Sequence, residues 1–317
     1  MGADKNSMTD EARQMRELAR LVIAHHFGSK PRRIVHKTSG LSNFVFAVGH
    51  AEGDFVVRIS PEPARIHSFI KEQWAQGAAR EIGVPTPEIL EIGNEIIGHQ
   101  FMISRTVAGR EATFHPDRQT ILREMGKYAA LINTIPTTGF GGTFDWSSNQ
   151  LSRNETWDDF LGKELQLEAR LKILEKQRML AAPQLEKIRI ILQSVSQTNP
   201  KPSLNHGDIR LKNVMVDDEG KITAILDWEN STSNIAPQWE LSLALHDLSI
   251  DEKQIFLEGY GLSEKKIREI APLMTAFNII NYAPKIERLA QAKDAAKLEQ
   301  YRTRLSGALD LYFLTGK

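Results

Sequence analysis

Asp208, Asn213 and Asp227 are the residues of this chain whose types and spacing can do chemistry. Asp227 follows Asn213 after a short hairpin, whose strands read Val214-Met215-Val216 and Ile222-Thr223-Ala224-Ile225-Leu226. Folding the hairpin back brings three oxygen-bearing side chains to one end of it. A carboxylate that takes or orients the proton of an attacking hydroxyl, with a carboxamide and a second carboxylate to hold Mg²⁺ on a nucleotide's phosphates, is what phosphoryl transfer needs. Asp217-Asp218-Glu219-Gly220, between the strands, is a tight turn and no more, because Asp and Gly suit one.

Context sets the three residues apart from an acid-rich turn. His206-Gly207 stands directly before Asp208, an apolar strand follows Asn213, and Asp227-Trp228 follows the second strand. The stretch His206-Gly207-Asp208 through Asn213, with Leu226-Asp227-Trp228-Glu229, resembles the signature of the aminoglycoside phosphotransferase and choline kinase-like family. Its D-x-x-x-x-N spacing is the loop pattern of protein kinases.

The likeness runs from about residue 38 to about residue 245. It implies an α+β, bilobal protein-kinase-like fold, with a small N-terminal lobe built on an antiparallel sheet (1–104) and a larger, mainly helical C-terminal lobe (105–317). It also implies direct in-line transfer of the γ-phosphate of ATP or GTP to a hydroxyl of an aminoglycoside-like acceptor. In that scheme Asp208 is the base, Asn213 and Asp227 hold Mg²⁺, and Arg210 neutralises charge on the moving phosphoryl group. Choline, an amino sugar or another hydroxylated metabolite or antibiotic are the alternative acceptors. A non-catalytic nucleotide binder is the alternative of another class, and retention of all three residues argues against it. A protein kinase is disfavoured, because only about a dozen residues separate Asp227 from the helix near Trp239, with no A-P-E for a peptide-docking segment.

The elements that must position these residues follow from periodicity. Apolar residues at helical spacing over about 9 to 27 predict a covering helix. Alternation predicts strands from Ile34, over 44–48 and over 55–59, forming an antiparallel sheet. The turn between the first two of these, with Ser42 and Asn43, is where the resemblance places backbone N–H groups over nucleotide phosphates. Arg58 stands where many kinase-like enzymes carry a phosphate-binding lysine, and its planar fork keeps phosphate binding open. The predicted helix over 64–82 supplies its partner. Lys71-Glu72-Gln73-Trp74 resembles the family segment bearing the pairing glutamate, and Glu81 competes with Glu72. Strands over 89–92 and 100–104 lead to an expected hinge with Ser104 and Thr106, where a purine would meet backbone groups.

Beyond the hinge, helices are predicted over 116–135, 156–174, 183–197 and 237–246, with three more from about 251 to 314. Asn133 reads as a packing residue, and Glu240 as a carboxylate that supports the catalytic loop. Gly139-Phe140-Gly141-Gly142 is a connection, since no strand precedes it and no Gly-Lys-Ser/Thr follows. His25-His26 cannot easily share one metal ion, because adjacent helix positions point apart. For the acceptor, Asp158, Asp159, Glu164, Asp247, Asp251 and Glu287 could serve a polycation, and Trp157, Trp228, Trp239, Tyr260 and Tyr282 could form a cage for choline.

Composition removes other classes. Forty basic and forty acidic residues cancel, so no nucleic-acid surface is expected. With no cysteine there is no disulfide, thiolate zinc site or cysteine nucleophile. No apolar run reaches membrane-spanning length and the start is polar, so no membrane partner and a cytoplasmic location are expected.

Overall fold

The computed structural model describes residues 10–37, 43–144 and 151–313. In chain order the first elements are α1 (Asp10–Phe27), β1 (Arg33–Lys37), β2 (Phe44–His50), β3 (Gly53–Ser60), α2 (Arg65–Glu81), β4 (Ile89–Gly93), β5 (Gln100–Arg105) and β6 (Arg110–Glu111). Then come α3 (Arg118–Ile132), α4 (Trp157–Asp159), α5 (Leu167–Lys176), α6 (Ala182–Ser194), β7 (Ser203–Asn205), β8 (Val214–Val216), β9 (Ile222–Ile225) and β10 (Thr232–Asn234). The chain closes with α7 (Gln238–Ala244), α8 (Ile250–Tyr260), α9 (Glu264–Asn281), α10 (Ala283–Gln291) and α11 (Ala295–Phe313). Two compact units result: Met1–Glu111 with Val214–Glu229, and Ala112–Asn213 with Asn230–Lys317.

In the first unit, β1-β2-β3-β5-β4 form one antiparallel sheet. Alternation decides its faces. Phe46, Val48, Phe55, Val57, Ile59, Phe101 and Ile103 are buried together with Met15, Ala19, Val22 and Ile23 of α1, so the first helix covers that face. The intervening Arg58, opposite Met102 in register, therefore looks the other way. A second sheet, β6-β8-β9, contains the predicted hairpin. Gly109 precedes it at φ +104°, and a Cβ there would lie 2.3 Å from the Val216 carbonyl oxygen.

The second unit is mainly helical, with β7 and β10 paired antiparallel. Its core joins Leu171 and Leu174 of α5, Leu185, Ile188 and Leu192 of α6, Phe277 and Ile280 of α9 and Ile286 of α10. Helices α3 and α8 cross at two glycines: a Cβ on Gly126 would sit 2.1 Å from the Phe256 carbonyl oxygen, and one on Gly259 2.0 Å from that of Arg123. Backbone on both sides leaves nothing that can swing away. Gly126→Ala is expected to cost about 2 kcal/mol by forcing the helices apart, readable as a lower midpoint in urea denaturation.

The expected α+β class holds, with the five-stranded antiparallel sheet at the N-terminal end and helices after it. Three details differ. The helix predicted over 156–174 is interrupted: α4 runs into a π-helical turn over Phe160–Glu164, and Gln166 adopts φ 54° before α5. Four helices, not three, follow Ser249, because Pro284 fits the first turn of a new helix, α10, after α9 ends. The short strands β6, β7 and β10 were not anticipated.

Candidate active site

Strand β7 delivers the chain into the loop that carries Asp208 and Asn213. Gly207 turns it at φ +78°, in close approach to the Asn230 carbonyl oxygen, which a Cβ would meet at 2.4 Å. Asp208 follows, nearly buried, and Leu211–Asn213 close the loop in a single 3-10 turn. Asn213 Nδ2 donates to Asp208 Oδ2 at 2.9 Å and to the Asp208 carbonyl oxygen at 2.8 Å. That bonding commits the amide nitrogen, so only Oδ1 of Asn213 remains to ligate a metal. Asp208 Oδ1 is buried and accepts no hydrogen bond. It does lie 2.5 Å from Arg210 Nε, while Lys212 Nζ is 3.2 Å from Oδ2. Arg210 also pairs with Asp247, Nη1 to Oδ2 at 3.1 Å. Two cations and an amide thus surround both oxygens of the Asp208 carboxylate. Lys212 went unremarked in the sequence, although its position four residues after Asp208 was a signal.

The loop is supported from beneath by Glu240 on α7, which is fully buried. Its Oε2 accepts from the His206 N–H at 2.5 Å and its Oε1 from the Gly207 N–H at 3.3 Å. His206 Nδ1 in turn accepts from the Asp208 N–H at 3.2 Å, so this histidine shapes the loop. Asn133 is more than packing: it hydrogen-bonds Glu240, donates to the Leu204 carbonyl oxygen at 2.9 Å and accepts from Tyr260 Oη at 2.7 Å.

Burial raises the Glu240 carboxyl from 4.5 to about 7, with nearby Asp208 adding to the rise and the loop N–H groups opposing it. The folded protein therefore keeps this proton over a range in which the unfolded chain has released it. The contribution to stability falls as pH rises from 4.5 to about 7 and is level above. Glu240→Gln is expected to remove that slope, about 3 kcal/mol across the window, in urea titrations of both proteins at pH values spanning it.

In the first unit, Arg58 Nη2 pairs with Glu72 Oε2, and Glu81 is exposed. The guanidinium also lies 5.3 Å over the Phe69 ring and 3.6 Å from Met102 Sδ. Glu72 is 1% exposed, and its Oε1 is buried with no hydrogen-bond partner. Asn43, just before β2, has a buried Oδ1 with no hydrogen-bond partner. Ser42 lies outside the described residues. Ser104 is buried at the end of β5, and the exposed Thr106 donates its N–H to the Asp54 carbonyl oxygen at 3.0 Å. Asp227 follows β9 at φ 65°, a left-handed conformation that costs a non-glycine residue on the order of 1 kcal/mol. Glu229, two residues on, pairs with Arg65 of α2 at 3.0 Å. Asp208, Arg210 and Asn213 belong to the second unit, and Asp227 to the first with Arg58 and Glu72.

Residues 34–273 match the family described as phosphotransferase enzyme family. The chain belongs to that family. As a member it is a phosphotransferase acting on hydroxyl acceptors. Among solved structures, it is similar to a thermostable mutant of aminoglycoside phosphotransferase APH(4)-Ia in ternary complex with AMP-PNP and hygromycin B. That similarity is 18% identity over 94% of this chain and 99% of that one, with a TM-score of 0.66. It is likewise similar to APH(2")-IIIa in complex with GDP and kanamycin, 15% identical over 93% of this chain and 98% of that one, with a TM-score of 0.62. At such identities the likeness shows the fold. No curated protein matches the chain. Among the described residues, no helix of this phosphotransferase is long and apolar enough to cross a membrane.

Proposed function

We propose that this phosphotransferase moves the γ-phosphate of ATP or GTP directly onto a hydroxyl of a small molecule, with Asp208 as the base. The acceptor oxygen attacks the γ-phosphorus as the bond to the β–γ bridging oxygen breaks. The nucleoside diphosphate leaves, and the hydroxyl proton passes to Asp208. The observation that carries this reading is Asp208 itself, a nearly buried carboxylate held by Asn213 and set against the Arg210 and Lys212 cations. Arg210 neutralises charge as the phosphoryl group transfers.

The oxygen donors of Asn213 and Asp227 fit Mg²⁺, a hard cation that takes oxygen ligands. When bound, it supplies charge neutralisation on the nucleotide phosphates. Arg58, fixed by Glu72, faces the phosphates as well. The backbone at Asn43 covers them, and the backbone at Ser104 and Thr106 receives the purine. The left-handed backbone at Asp227 is the kind of strain that accumulates where a side chain must be aimed.

Coupled ADP release with Mg-ATP, screened over hydroxylated acceptors, tests the reading. Acceptor-dependent release that vanishes in Asp208→Asn is expected. Release that survives this substitution would exclude Asp208 as the base. Hygromycin B and kanamycin, bound in the related structures, are the reference acceptors for the screen.

A further inference from the structure

A cavity of about 720 Å³ opens in the second unit at the end of α7, walled also by residues of α8, α9 and α11. It adjoins the catalytic loop through Asp247, a lining residue joined to Asp208 by the Arg210 guanidinium alone. Of the six acidic residues that could serve a polycationic acceptor, only Asp247 lines it. The others are placed elsewhere. Glu164, for instance, accepts from the Gly142 N–H and from Asn154, and Asp159 pairs with Lys163. The aromatic candidates do not assemble into a cage either. Trp157 and Trp228 are buried and donate to backbone carbonyl oxygens, and only Tyr282 faces the cavity.

The charge on the wall has the opposite sign to that required by an aminoglycoside. Lys253 and Arg304 both line the cavity, and among the described residues neither is in an ion pair. Arg304 lies over the Tyr301 ring at 5.7 Å. Asp247 is matched by Arg210. His246, hydrogen-bonded with Tyr282 Oη at 2.8 Å from Nδ1, is held towards its neutral form by burial and by Arg210, Arg304 and Lys253, against the pull of Asp247. A polyamine would therefore meet two unmatched cations and one carboxylate already engaged. An anion would meet the two cations beside an apolar floor that includes Leu245, Met274 and Leu305.

We propose that the acceptor is a small anionic alcohol with an apolar body, its acidic group on Lys253 and Arg304 and its hydroxyl directed to Asp208. The inference rests on the kinase reading and replaces the aminoglycoside-like acceptor expected from the sequence with one of opposite charge.

The test uses the full chain with Mg-ATP. Calorimetric binding of Mg-ATP checks the kinase reading independently, so a failure there is separable from a failure of the acceptor class. Acceptor-dependent ADP release is then compared for phenyllactate, its methyl ester and phenylalaninol, which share a body and a hydroxyl and differ in charge. Glycerol phosphate and kanamycin complete the set. The expected result is a kcat/KM for an anion, phenyllactate or glycerol phosphate, at least about tenfold above every neutral or cationic compound, the worth of one charge-assisted contact. Which anion leads tells a carboxylate from a phosphate ester. Lys253→Glu/Arg304→Glu should reverse the order of phenyllactate and phenylalaninol. Lys253→Gln/Arg304→Gln should level it, with melting temperature as the check on folding. Stimulation by kanamycin, phenylalaninol or the ester equal to that by the anions overturns the inference. So does no stimulation by either anion, or a charge preference unchanged in both double variants.

Discussion

Asp208→Asn lowers turnover by roughly a thousandfold, within the range that a positioned general base contributes, while the nucleotide still binds. The substitution is isosteric, so the 3-10 turn over Leu211–Asn213 and the Glu240 bonds to the His206 and Gly207 N–H groups persist. What is lost is the proposed acceptor for the hydroxyl proton. The charge that Arg210 Nε and Lys212 Nζ face at 2.5 and 3.2 Å is lost as well. Single-turnover measurements with saturating acceptor locate the defect in the chemical step. A fall in nucleotide affinity with turnover preserved would assign Asp208 to binding instead.

Arg58→Ala is expected to weaken the fold by about 3 kcal/mol or more, because it strands Glu72 as a buried carboxylate without its cation. Glu72 is 1% exposed, its Oε1 has no hydrogen-bond partner, and among the described residues Arg58 is its ion-pair partner. Nucleotide affinity should fall too, since the proposed phosphate contact of the guanidinium is lost. A double variant separates the two effects. Arg58→Met/Glu72→Met replaces the pair with apolar groups of similar reach, which should restore most of the stability, yet leave nucleotide affinity low. If the double variant recovered both, Arg58 would be a structural residue only. The readouts are urea midpoints and calorimetric titration with Mg-ATP.

Much of this site was legible because its parts lie close together in the chain. Asp208, Asn213 and the hairpin to Asp227 span twenty residues, and the apolar strands on either side fix where the turns fall. The sheet was legible because Phe44-Val45-Phe46-Ala47-Val48 and Phe55-Val56-Val57-Arg58-Ile59 are short runs rich in β-branched and aromatic residues bounded by turn residues, and the alternating burial along them turns Arg58 away from α1. The choice between Glu72 and Glu81 needed the phase of α2. Glu72 shares its face with the buried Phe69, Ala75, Gln76 and Ala79, a stripe too small-sided and polar to stand out by hydropathy.

Other features left no local mark. Strands of two or three residues, such as β6, β7 and β10, carry no periodic signal. The break before α5 occurs at Gln166 in a left-handed conformation that normally announces itself with Gly or Asn. The charge of the cavity wall depends on Asp247, Lys253 and Arg304, brought together only by packing of the closing helices. Glu240 was legible as a support, but its raised pKa required knowledge of its burial and of Asp208 nearby.

The most direct measurement is a crystal structure of the full chain grown with AMP-PNP and Mn²⁺, whose anomalous signal locates the ion at the Mg²⁺ position. Asn213 Oδ1 and a carboxylate oxygen of Asp227 are predicted to ligate it, with Asp208 beside the γ-phosphate and not on the metal. An ion bound to the nucleotide with Asn213 and Asp227 turned away from it would contradict the account.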